Sequence, residues 1–132
     1  MSEDRPLARA WEPAAVALAD LLPRTARGPR RDGVFALWLT VRVALDLGLT
    51  PPLPDRAQRR RVGALERRLA SLTLPAPLRR ALTAAVAQLQ PGDTQAAALA
   101  LTQLVAPARD TLGPEAGDAI ALAARVARAS AA

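Results

Sequence analysis

Residues 32–48, DGVFALWLTVRVALDLG, decide the fold. Wound as a helix, this stretch is apolar on nearly every side: Val34, Phe35, Leu37, Trp38, Leu39, Val41, Val43, Leu45 and Leu47. A helix that is apolar all round belongs in the middle of a bundle, where other helices cover each of its faces. Asp32 suits its N-cap and Gly48 its stop, so the spacing predicts a central helix over 32–48 with Trp38 in the core. The interior charges are Arg42 and Asp46, which share a face at i, i+4 and are close enough to pair. An unpaired charge in such surroundings is expensive, so they read first as a self-neutralising pair at the core rim, and second as a polar ligand-binding spot.

Working outward, apolar spacing is helical almost throughout, and Pro and Gly punctuate it. A first helix is predicted from about Trp11 to Leu22, with Pro13 in its first turn and Trp11, Ala15, Leu18 and Leu22 on one face. Residues 23–31 follow, read as a loop that no helix absorbs because it combines Pro23, Gly28 and Pro29 with Arg24, Arg27, Arg30 and Arg31. After the Thr50-to-Pro54 connector, Asp55 and Gln58 suit a capping-box start to a third helix ending near Leu72. Its apolar stripe is Val62, Leu65, Leu69 and Leu72. Arg56, Arg59, Arg60 and Arg67 occupy the opposite side, and Arg61 and Arg68 flank the stripe. With Asp55 and Glu66 as the local acids, this helix carries most of the excess positive charge.

A fourth helix opens at Pro75-Ala76-Pro77 with a seam of Leu78, Leu82, Ala85 and Leu89. Asp93 or Thr94 caps a fifth, with Ala97, Leu101, Leu104, Val105, Ala108 and Leu112 along one face and Pro107 expected to kink it or break it near Ala106. Beyond Gly113-Pro114, a sixth carries Ala116, Ile120, Ala123 and Ala127 as a close-packing stripe, widened by Leu122 and Val126. Residues 1–10 and 129–132 are expected to be frayed. The connections from the third helix onward are short, which favours antiparallel neighbours. The fold class expected is therefore all-α, a compact bundle of about six helices in a single domain spanning 1–132.

Composition bounds the chemistry. The chain has 132 residues and a formal net charge of +6, its 18 basic residues are all Arg, and it contains no His, Cys, Lys, Tyr or Asn. Such usage is the imprint of a GC-rich, bacterial type of genome, so the abundance of Arg is discounted as a functional signal. With 2% aromatic residues, the core must be built from Leu, Val and Ala. Without His or Cys, imidazole and thiolate metal sites and Cys or His catalysis are excluded, and without Lys the P-loop signature cannot be written. A Mg²⁺ or Ca²⁺ site needs only oxygens, and Glu115 and Asp118, at i, i+3 in the first turn of the last helix, come closest to one, but the helix dipole favours acidic residues there and is the leading explanation. No cofactor, metal ligand or catalytic residue is therefore assigned, and the chain is read as non-enzymatic.

Two functions remain. The first is a helical protein-interaction or assembly module whose partner is another protein or a second copy. Ala-rich faces such as Ala81, Ala84 and Ala87, and the 96–100 run, allow close approach of a helix, and Trp11 is a core anchor or an interface residue. The alternative is Arg-mediated binding of nucleic-acid phosphates through Arg24, Arg27, Arg30, Arg31, Arg56, Arg59, Arg60 and Arg67, should they meet on one face. No apolar run suggests a membrane span and the N-terminus opens acidic, so a cytoplasmic location is expected.

Overall fold

Helix-breaking residues divide the chain much as expected. The computed structural model describes residues 12–25, 27–49, 55–90 and 92–131. Among them are six helices and no strand: α1 (Glu12–Leu21), α2 (Pro29–Leu49), α3 (Asp55–Ala70), α4 (Ala76–Ala87), α5 (Thr94–Leu112) and α6 (Pro114–Ala131). Trp11, the 1–10 segment, the Thr50-to-Pro54 connector and Ala132 lie outside the described residues, as does the side chain of Asp55.

Helix α2 packs on each of the other five and is the centre of the bundle. Its Val34, Ala36, Leu37, Val41 and Ala44 are buried. So is Thr40, whose hydroxyl donates to the Ala36 carbonyl one turn back at 2.8 Å and so leaves no unmet polar group. Two boundaries differ from expectation. The helix starts at Pro29 rather than after Asp32, taking in Arg30 and Arg31, and Gly48 lies inside it. The reason is local: a proline at the first helical position gives up a hydrogen bond the helix would not make, and its ring presets φ. Gly28, at φ 131°, supplies the turn that no side-chain-bearing residue readily makes, and its carbonyl accepts from Asp32 N–H at 3.0 Å. Freed from capping, the Asp32 carboxylate accepts from the Thr73 N–H at 2.9 Å. That bond ties the start of α2 to the chain just past α3, so the two helices run antiparallel.

Helix α5 begins as read, the Asp93 carboxylate accepting from Ala96 N–H at 2.9 Å. Pro107 does not break it. An interior proline costs about 3 kcal/mol, but Leu104, Ala108 and Leu112 on the same turns are buried, and that burial outweighs the lost bond. The heaviest packing in the bundle is between α5 and α6. Ala116, Ile120, Ala123 and Ala127 are buried there as expected, together with Ala119 and Ala124. Helix α6 also continues through Ala131, past the point where fraying was expected, in keeping with alanine's high helix propensity.

Buried side chains from all six helices join one hydrophobic cluster, but α3 contributes to it only through Leu65 and Leu69. The helix is lightly held and carries a glycine in mid-run. A methyl group at Gly63 would meet nothing nearer than the Arg67 Nη1 at 3.5 Å, an ordinary contact. Gly63→Ala is therefore expected to stabilise the protein by about 0.5–1 kcal/mol through helix propensity, read as a rise in the urea midpoint. An unchanged or lower midpoint would mean that α3 is not a continuous helix in solution.

Candidate functional site

An all-round apolar helix needs cover on every side, and α2 does not have it. Phe35, Trp38, Leu39 and Val43 are only half-buried, in contrast to the fully covered Leu37 and Val41. At i, i+4 and i+8, Phe35, Leu39 and Val43 form a stripe facing α3, with Trp38 stacked beside Phe35. Helix α3 covers the stripe only in part, because beside the buried Leu65 it presents the small, exposed Ala64, and arginines stand where larger apolar groups would close the gap.

The result is an open groove of about 470 Å³, with Phe35, Leu39 and Val43 from α2 on one wall and Arg61, Ala64, Leu65 and Arg68 from α3 on the other. Phe35 to Val43 is eight residues of helix, so the groove runs about 12 Å. Among the described residues, none that lines it is acidic. The Arg68 guanidinium lies over the Phe35 ring, 5.4 Å from its centroid. Phe35 and Trp38 stack with centroids 6.0 Å apart and planes 20° from parallel, and Arg42 lies over Trp38 at 4.8 Å. Trp38, read from sequence as core, is thus a half-open ring capped by a cation. Arg42 is exposed and engaged with that ring; the Asp46 side chain, its expected partner, lies outside the described residues.

The arginines singled out from sequence divide between two ends of the α2–α3 pair. At one end, Arg24 donates to the Asp20 carbonyl at the close of α1 and to Glu115 at 3.1 Å, while Arg30 donates to the Leu112 carbonyl at the close of α5. These two cap helix C-termini, whose last carbonyls lack intrahelical donors. Arg79 donates to the Leu72 carbonyl, two residues past the end of α3, at 2.6 Å. Arg27 is exposed and Arg31 half-buried near the same end. Arg67 lies exposed toward this end of α3, whereas Arg56, Arg59 and Arg60, also exposed, are about 10–17 Å further down the helix. Glu115 and Asp118 face Arg24 and Arg109, at 3.1 and 3.4 Å, in ion pairs exposed enough to contribute little to stability.

The groove residues were in plain view in the sequence but read as core. The available signal was the i, i+4, i+8 recurrence of Phe35, Leu39 and Val43 opposite an α3 whose stripe is flanked by Arg61 and Arg68. The Ala-rich run of α5 is used inside the bundle, where Ala97, Ala98 and Ala100 are buried, while Ala84 and Ala87 of α4 are exposed. Among the described residues no helix is long and apolar enough to cross a membrane. Comparison with protein-family models, curated proteins and solved structures finds no match to this chain.

Proposed function

We propose that the protein is a non-catalytic helical interaction module that receives an amphipathic segment of a partner protein in the groove between α2 and α3. The observation that carries this reading is the half-covered apolar stripe Phe35–Leu39–Val43 on a central helix whose Leu37 and Val41 are fully buried. Among the described residues, the large apolar side chains that are exposed rather than half-buried are Val16 and Leu99, at 56% and 55% exposure, which sit on different helices and amount to ordinary scatter. A groove with anchors repeating at helical spacing suits the helix-in-groove mode of recognition. The absence of His, Cys and Lys supports a binding role over catalysis.

The test is selection from a displayed library of helical peptides, followed by titration against wild type and Ala64→Trp. Ala64 lines the groove yet is exposed, so the indole fills the groove without disturbing the core. Selected peptides are expected to lose at least about tenfold in affinity to the variant while its thermal unfolding stays unchanged; a tenfold loss is about 1.4 kcal/mol. Recovery of no peptides, or of peptides indifferent to Ala64→Trp, would remove the reading. The second reading is phosphate binding along the exposed α3 face. It would take over if labelled oligonucleotides bound with steep salt dependence and released on Arg56/Arg59/Arg60→Ala.

A further inference from the structure

We infer that the segment seated in this groove is an acidic helix, with apolar side chains at i, i+4 and i+7 or i+8 and carboxylates flanking them. This rests on the docking reading above and adds the chemistry of the partner. The spacing comes from the walls: Phe35, Leu39 and Val43 repeat every turn opposite Arg61 and Arg68 at i, i+7, so three anchors of a helix match a groove of about 12 Å.

The charge comes from the rim. Arg61 and Arg68 are both exposed and line the groove with no acidic residue among its described lining, on a chain of net charge +6. Arg68 and Arg42 lie over aromatic rings, their Cζ atoms 5.4 and 4.8 Å from the ring centroids, and a guanidinium held by a ring through cation–π attraction keeps N–H donors to offer a partner. Donors so presented match a carboxylate in bidentate geometry, and the stacking fixes the guanidinium before the partner arrives.

Other occupants fit less well. A second copy in a symmetric dimer would bring the same basic rim against itself. A small molecule in a specific pocket is mostly enclosed, whereas this groove is open along its length, with half-buried walls. Nucleic acid would be held by phosphate contacts and base stacking, but the ring faces of Phe35 and Trp38 carry arginines already.

The test uses two labelled peptides of about 20 residues, long enough to hold a helix, sharing an apolar seam taken from the selected peptides. One carries Glu at the flanking positions and the other Lys. Anisotropy titrations are run on wild type and on the Arg61→Glu/Arg68→Glu double variant, whose substituted positions are both exposed; its thermal unfolding is recorded alongside. Each exposed pair contributes a few-fold, so wild type is expected to bind the Glu peptide about tenfold more tightly than the Lys peptide. That preference should weaken with added salt and reverse in the double variant. Equal binding of both peptides overturns the acidic partner and leaves the groove as a docking site. Binding of neither overturns both. Displacement of the Glu peptide from wild type by a single-stranded oligonucleotide at lower concentration than by unlabelled Glu peptide also overturns the inference, in favour of a nucleic-acid ligand.

Discussion

Leu101→Ala is expected to lower the free energy of unfolding by about 3–5 kcal/mol, whereas Leu99→Ala on the same helix changes it by no more than about 0.5 kcal/mol. Leu101 is 0% exposed and Leu99 is 55% exposed. Two positions along a helix turn a side chain by about 200°, which moves it from the core to solvent. Truncating Leu101 removes the transfer free energy of its lost carbons and leaves a cavity. Its buried neighbours on α5, Ala97, Leu104 and Ala108, belong to packed helices and cannot collapse fully into it. Because a domain of this size is stable by only about 5–15 kcal/mol, the loss is a large share of the total. Urea denaturation of the two variants measures both at once. Comparable losses for the two, or a loss below about 1 kcal/mol for Leu101→Ala, would show that α5 is rotated from the arrangement described.

Gly117→Val is expected to cost about 3 kcal/mol, with Gly117→Ala intermediate. Gly117 lies on α6 where that helix crosses α5, and a methyl group there would sit 2.9 Å from the Arg109 Cβ and 3.3 Å from its Cα. The flexible part of Arg109 can swing aside, but its Cβ and Cα cannot without moving α5. Alanine offsets part of the clash with about 1 kcal/mol of helix propensity; valine adds two further methyl groups and a stiff χ1. Since the obstruction is main chain and Cβ, Arg109→Ala should not rescue Gly117→Val, while Arg109→Gly should recover part of the loss at its own helix-propensity cost. Full rescue by Arg109→Ala would show that the guanidinium stem, and not the approach of the helices, forbids the side chain. The contrast with Gly63, where the same substitution is expected to stabilise, separates a glycine required by packing from one that is not.

The core was legible because its signal is periodic. Leu78, Leu82 and Ala85 on α4, and Ala116, Ile120 and Ala123 on α6, recur at three-to-four spacing and are buried where that spacing puts them. Misreadings arose where one residue type has two meanings. Pro29 ends a helix from the outside and opens one from its first position, and the sequence around it admits both until Gly28 is seen to make the turn. Pro107 reads as a break because its local cost is certain, while the burial that offsets it comes from other helices. For Arg24 and Arg30, read from sequence as possible phosphate contacts, nothing local reveals that the Glu115 carboxylate and the Leu112 carbonyl, more than eighty residues away, will meet them.

By itself, the sequence determined the helical class, the approximate ends of most elements, the inward faces of α4, α5 and α6 and the central place of the 32–48 stretch. Each follows from local propensity and from a hydrophobic period that repeats every turn. Only the tertiary structure decided which face of the central helix stays uncovered. Coverage depends on what a neighbouring helix presents, and α3 offers the small Ala64 between Arg61 and Arg68 where larger apolar side chains would have sealed Phe35, Leu39 and Val43. An apolar side chain carries the same pattern in the chain whether its neighbour closes over it or leaves it for a partner, so the groove exists only once two distant stretches are packed side by side.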